Sequence, residues 1–333
     1  MPELRKDPIL ERWVIISTER HKRPTDFSLN PLPVTKGGFC PFCDGNEDKT
    51  PHEIFAISHH NRQPDTPGWS LRVVPNRFPV LTIEGDLKKE GEGLYDRITG
   101  IGAHEVIIET PDHSDSLANI SLPQFVNVLS SYRARISDLK RDHRFKYALI
   151  FKNHGMAAGA SLEHSHSQLI ALPIVPKRVS EELAGSKSHY EFKDRCIYCD
   201  IIHQESDHSE RVVAENEHFI VISPFAAKSP FETWILPKKH SAVYEDIRDE
   251  ELEPLAGIFS ETLKRLDKVL GSHPYNFVLH NSPFDMKGKE HYHWHFEIMP
   301  KLTKTAGFEW GSGFYINPTS PEEAASLLKE AKI

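Results

Sequence analysis

The sequence predicts an α+β fold built as two tandem halves, each a mostly antiparallel sheet with one long helix packed on it. Three observations predict it. A Cys-X-X-Cys pair occurs twice, as Cys40-Pro-Phe-Cys43 and Cys196-Ile-Tyr-Cys199. Each pair is followed by the same order of patterns: strand, strand ending near Pro-X-His or its counterpart, helix, strand, and a His-X-His strand. The landmarks keep register, with His113 and His240 127 residues apart and His164 and His293 129 apart. At ~150 residues per domain, 333 residues suit such a duplication. It divides into an N-terminal half over 1–175 and a C-terminal half over 190–333.

The elements follow in order. VVPNRFPVL (73–81), HEVIIET (104–110), YALIFKN (147–153) and HSQLIALP (166–173) are β-branched or alternate apolar with polar, which reads as strand. Residues 84–103, rich in glycine and charge, read as a surface loop. Over 121–141 the apolar residues recur at helical spacing, with Ser121 as N-cap before Leu122 and Pro123. Residues 246–270 repeat that pattern, with Leu252, Leu255, Phe259, Leu263 and Leu266 on one stripe. Residues 322–332 read as a last helix.

Composition narrows the function. Apolar residues make up 38% and charged residues 26%, with 32 aromatic rings along the chain, so the chain buries a core. No run approaches the ~20 apolar residues of a membrane span, and MPELRKDPILERW lacks the layout of a secretory leader. A cytoplasmic protein with no membrane partner is expected. The net charge of −8 argues against a nucleic-acid partner, which calls for a basic surface.

Four cysteines in two pairs, with none left over, point in a reducing compartment to metal rather than disulfides. Structural zinc takes four Cys or His ligands. Cys40, Cys43, His113 and His164 fill one site. Cys196, Cys199, His240 and His293 fill a second at matching places, with His280, His291 and His295 as competing ligands.

His164-Ser-His166-Ser-Gln168 falls on a predicted strand, so 164, 166 and 168 share a face. A metal on His164 sits beside His166 without binding it and anchors its neighbour. His166 is then a placed nucleophile, and the Gln168 amide can bond an oxyanion. Upstream, Asn153-His-Gly-Met-Ala-Ala-Gly-Ala-Ser161 is small enough for backbone N–H groups to cradle a phosphate, with Gly155, Gly159 and Ser161 as candidates. A neutral imidazole is nucleophilic near pH 7, and its P–N adduct stays reactive toward a second acceptor. The pattern therefore points to phosphoryl or nucleotidyl transfer in two displacements.

These residues resemble the galactose-1-phosphate uridylyltransferases, the transferase branch of the histidine-triad superfamily. That branch carries His-X-His-X-Gln, as at 164–168, where the hydrolase branch has a third His. PDHSDSL (111–117), RHKRP (20–24) and the Asn-X-Gly loop at 153–155 extend the likeness over most of the chain. The resemblance implies histidine-triad-like halves and a ping-pong reaction: His166 takes UMP from UDP-glucose and hands it to galactose 1-phosphate. It implies phosphate contacts from Gln168 and Ser161, and nucleotide contacts from Arg20, Arg23, Asn76 and Asn153. It implies a nucleotide sugar and a sugar phosphate as partners, and a homodimer. It also implies zinc in the first site, whereas well-known bacterial members build the second from one Glu and three His, which admits iron there. Glu182, His280, His293 and His295 match that set. The second Cys pair, His240 and the stretch 307–322 instead resemble the ADP-glucose phosphorylase branch, which transfers AMP to phosphate. A histidine-triad nucleotide hydrolase is a more distant alternative.

Overall fold

One ten-stranded sheet runs through this computed structural model, which describes residues 1–17, 27, 38–58 and 60–333. The chain opens on two short strands, β1 (Glu3–Lys6) and β2 (Trp13–Ile16). The first half then supplies β3 (Phe55–Ile57), β4 (Leu71–Pro75), an outlying hairpin β5 (Lys89–Glu92) and β6 (Tyr95–Ile98), and β7 (Ala103–Ile108). Helix α1 (Leu122–Leu139) follows, then β8 (Tyr147–His154) and β9 (His166–Leu172). Two helices, α2 (Lys177–Lys193) and α3 (Ile197–His208), lead into the second half. That half supplies β10 (Val212–Glu215), β11 (Phe219–Ile222), β12 (Thr233–Pro237), helix α4 (Asp249–Leu270), β13 (Tyr275–His280) and β14 (His295–Pro300). A short helix α5 (Gly307–Ser312), strand β15 (Tyr315–Asn317) and helix α6 (Pro321–Glu330) close the chain. β15 joins β1 and β2 in a small three-stranded sheet, pairing parallel to β2.

The sheet order is a palindrome: β3-β4-β7-β9-β8 meets β13-β14-β12-β11-β10. Every pair in it is antiparallel, and the seam is β8 against β13, with Asn153 opposite Asn276 and Ile150 opposite Leu279. The two halves thus share one sheet rather than each keeping its own.

Both long helices pack on one face of this sheet. Phe125, Leu129, Tyr132 and Ile136 of α1 and Leu255, Phe259, Leu263 and Leu266 of α4 share one core cluster with Ile107, Ile150, Leu169, Phe277, Phe296 and Ile298. Each such side chain stabilises the fold by about 1.5–3 kcal/mol. Ser121 caps α1 as expected, its Oγ accepting from Gln124 N at 3.3 Å.

On the opposite face, α2 covers the second half. Gly185 makes this possible: a Cβ there would lie 1.8 Å from the Ile9 carbonyl oxygen. Three expectations are revised. The strand read over 73–81 is confined to Leu71–Pro75. Residues 84–103 contain the hairpin β5–β6, exposed along most of its length. The 166–173 strand begins at His166, and His164 precedes it, although Glu109 N still donates to Ser165 O at 3.2 Å. Among the described residues no helix is long and apolar enough to cross a membrane.

Candidate active site and metal centres

His166 opens β9 on the face away from the long helices. Its Nδ1 lies 2.8 Å from the main-chain oxygen of His164, so the ring donates there and keeps the Nε2 lone pair. Burial, and then the Lys152 charge, push its pKa down to about 4, so the ring is neutral at pH 7. Phe42, from the Cys40–Cys43 turn, stands edge-on to it at 5.3 Å. A lone pair on a neutral, doubly braced imidazole is the arrangement of a nucleophile.

A cavity of about 700 Å³ adjoins this ring, within the size range of small-ligand sites. Asn153, Ser161, His164 and His166 line it, together with His154 and residues 112–116. The loop between Asn153 and Ser161 arches over one side. Gly155 and Gly159 both hold positive φ, 80° and 90°, around a single 3₁₀ turn over Met156–Ala158. The second half fixes this arch across the seam: Asn276 Nδ2 donates to Asn153 Oδ1 at 2.7 Å and to Ala158 O at 2.8 Å. With its oxygen engaged, Asn153 has its amide N–H groups to offer.

Gln168 and Asn76 meet away from the arch, around His104. Val80 N donates to His104 Nδ1 at 3.3 Å, which makes Nε2 the protonated nitrogen. Nε2 then donates to Gln168 Oε1 at 2.9 Å, and Asn76 Nδ2 lies 3.1 Å from the same nitrogen. The Gln168 carbonyl is thus held by protein and its NH₂ is left as the donor; like Asn76, Gln168 is not among the residues that line the cavity. Gly159 sits in the arch and does not line the cavity. Arg20 and Arg23 lie outside the described residues.

The eight cysteines and histidines proposed as ligands form two groups. In each, the four ligand atoms lie within 4.8 Å of one another. In the first group Sγ–Nδ1 distances are 3.7 Å (Cys40–His164), 3.5 Å (Cys43–His113) and 3.6 Å (Cys43–His164). In the second they are 3.4 Å (Cys199–His240) and 3.7 Å (Cys199–His293). A tetrahedral ion with metal–sulfur and metal–nitrogen bonds of ~2.3 and ~2.05 Å sets these edges at roughly 3.6 Å. Both groups can therefore hold such an ion without rearrangement. The far nitrogens are anchored as metal-binding imidazoles require: His164 Nε2 on Thr110 O at 2.7 Å, and His293 Nε2 on Pro237 O at 2.8 Å.

The alternative second set, Glu182 with His280, His293 and His295, does not assemble. His293 belongs to the cysteine group, while His280 bridges two carboxylates, Glu182 at 3.0 Å and Glu297 at 2.9 Å.

The palindrome also repeats the strand that carries His166. Val106 faces Gln168 as Trp234 faces Glu297, so His293-Trp-His295-Phe-Glu297 copies His164-Ser-His166-Ser-Gln168. His295 Nδ1 lies 3.2 Å from His293 O, as His166 does from His164. This copy is filled by Arg178 and Glu182 of α2, by Ile9 and by His280, leaving about 10 Å³.

Three residues near the site escaped the sequence reading: His104, Glu109 and Lys152. The last two left a trace, one acid and one base at the ends of the apolar runs HEVII and YALIF.

Comparison with known proteins defines the class, a nucleotidyltransferase. The model of the N-terminal domain of galactose-1-phosphate uridyl transferase matches residues 1–176, and that of its C-terminal domain residues 182–320. The chain belongs to this galactose-1-phosphate uridyl transferase family. It is 39% identical to ADP-glucose phosphorylase of Arabidopsis thaliana, covering 100% of this chain and 93% of that protein. It is 33% identical to galactose-1-phosphate uridylyltransferase of Thermotoga maritima, covering 100% and 99%. A crystal structure of an Arabidopsis thaliana ADP-glucose phosphorylase with bound ADP-glucose matches with a TM-score of 0.85 at 36% identity, over 100% and 99% of the two chains. A uridylyltransferase structure matches with 0.77 at 34%, over 99% and 98%.

Proposed function

We propose that this chain is a galactose-1-phosphate uridylyltransferase working through a nucleotidyl adduct on His166. The observation that carries the proposal is the tautomer of His166: Nδ1 tied to the His164 carbonyl, Nε2 without a hydrogen-bond partner among the described residues, at the wall of a ligand-sized cavity.

In this reading Nε2 attacks the α-phosphorus of UDP-glucose. The bond from that phosphorus to the bridging oxygen breaks, and its electron pair leaves with glucose 1-phosphate. The ring becomes cationic on forming the P–N bond, and the His164 carbonyl, already accepting from Nδ1–H, stabilises that charge. The Asn153 amide, the Ser161 hydroxyl and the Gln168 NH₂ donate to the non-bridging oxygens. A phosphate oxygen of galactose 1-phosphate then attacks the same phosphorus, the P–N bond breaks with its electron pair returning to Nε2, and UDP-galactose leaves. The two Cys₂His₂ groups would hold zinc as structural sites, since closed tetrahedral sets of two thiolates and two imidazoles suit it. Cys40, Cys43, His113 and His164 would share that ion, tying the Cys40–Cys43 turn, and with it Phe42, to the strand bearing His166.

A second reading has a specific support of its own. The relative at 39% identity and the structure with bound ADP-glucose favour AMP transfer from ADP-glucose to phosphate. The His166 chemistry is unchanged in it. Intact mass after brief exposure to UDP-glucose or ADP-glucose, kept from acid, separates the two. A UMP adduct cleared by galactose 1-phosphate supports the first, and an AMP adduct cleared by phosphate replaces it with the second. No adduct from either removes the mechanism.

A further inference from the structure

Beneath the nucleophile strand lies a buried ion pair whose hydrogen bonds the chemistry above does not use. Lys152 Nζ is 2.6 Å from Glu109 Oε2, and the two side chains are 1% and 0% exposed. The ammonium also donates to Ser165 Oγ at 3.1 Å and to the main-chain oxygen of His166 at 2.9 Å. Ser165 Oγ donates to Glu109 Oε2 at 2.6 Å, and Ser167 Oγ donates to Glu109 Oε1. Tyr132 of α1 closes the network, 2.6 Å from Ser167 Oγ. All three ammonium protons are thus committed to protein, so Lys152 has none to give a substrate.

The second half shows what this strand pair does without the network. Register makes Leu279 the counterpart of Lys152, and Trp294 and Phe296 the counterparts of Ser165 and Ser167. All three are buried apolar residues in the core. Glu109 has no counterpart: it stands between Ile108 and Thr110, whose equivalents Leu236 and Pro237 are adjacent. The fold is therefore built in the closed half with an apolar core, and the charged network occurs in the half whose histidine faces a cavity. Buried ion pairs are seldom more stabilising than apolar residues of the same volume, so stability alone does not account for it.

We infer that Lys152, held by Glu109, is a positioning residue that fixes the backbone of β9 at His166 and so the approach of Nε2 to phosphorus. This rests on His166 being the nucleophile. The Lys152 ammonium and the Glu109 carboxylate grip this segment through its own carbonyl and two hydroxyls, on the side opposite the imidazole, so the ring stays put while charge develops on it. A displacement of about 1 Å at such a site costs about 100-fold in rate.

The test uses the full chain with its metals. Lys152→Met is expected to slow adduct formation in single-turnover mass measurements by about 100-fold, with KM for the nucleotide sugar within about threefold and both metal equivalents retained. Because Lys152→Met strands a buried carboxylate, the double variant Glu109→Gln/Lys152→Met is measured beside it. It is expected to recover the melting temperature but not the rate. A double variant that labels as fast as wild type overturns the inference, as does a loss of rate that tracks loss of binding and metal. Absence of any adduct on the wild-type chain overturns the proposed function, and this inference with it.

Discussion

The ring of His280 lies flat against that of His295, 4.4 Å between centroids and 6° from parallel. Trp234 and Tyr198 crowd the same imidazole at 5.1 and 5.2 Å. His295 thus repeats the backbone anchoring of His166 in a space too small for a phosphate. The chain is expected to take one nucleotide, on His166, and His295→Ala is expected to leave adduct stoichiometry at one per chain. Peptide mapping of the labelled protein checks this, and label on the 293–297 segment would refute it.

Removing the proposed nucleophile separates chemistry from metal. His166→Ala is expected to lower transfer on the order of 10⁴-fold or more. Metal content and melting temperature are expected to stay near wild type, because His166 is outside both ligand groups. Loss of a metal equivalent with the activity would reassign His166 as a ligand.

Cys40→Ser is expected to remove one metal equivalent of two. Metal binding at such a site is coupled to folding, so the melting point should fall by roughly 5–10 °C, at ~2–4 °C per kcal/mol. Elemental analysis beside a thermal melt decides it, and an unchanged metal count would sink the site.

His104 orients Gln168 by holding its carbonyl. His104→Ala frees that amide to rotate, and is expected to lower kcat about tenfold, the order of one modest hydrogen bond, with little change in metal content. Gln168→His is expected to raise the share of nucleotide lost to water. A product ratio equal to wild type would remove Gln168 from the transfer step.

The Glu182–His280 pair predicts a pH dependence of stability. Burial opposes both charges, but the His280 charge holds Glu182 down at about 2, and the Glu182 and Glu297 carboxylates hold His280 up at about 9. The ordinary values are 4.5 and 6.5. The His280 contribution is full below pH 6.5 and fades as pH rises through 9. The Glu182 contribution is full above 4.5 and fades as pH falls toward 2. Glu182→Gln is therefore expected to cost most near pH 5.5, about 3 kcal/mol, and less at pH 9.5. Denaturant melts at the two pH values test it, and an equal cost at both would contradict the pair.

Much of this was legible in the sequence because it rests on local pattern. The stripes of α1 and α4, the cap at Ser121 and the two Cys-X-X-Cys pairs each carry their own periodicity or spacing. What stayed hidden depends on residues meeting across the sheet. α2 has no apolar stripe, since only Val179, Glu182 and Ser186 are buried along it, so nothing in 177–193 marked a helix. His104 gives no sign of its role until β7 and β9 lie side by side. The exposed hairpin at 89–98 follows from turn geometry at Gly93 in a stretch too polar to read as strand.

The seam between β8 and β13 has a consequence for any attempt to halve this molecule. A fragment ending after β9 would present β8 as an open edge of unpaired N–H and C=O groups, the kind of border that recruits stray strands. It would also lose Asn276, and with it the hand that holds Asn153 and the arch over the cavity. The closed half is thus an indispensable wall of the open one. One half can fill in its own copy of the site and still be required by the other.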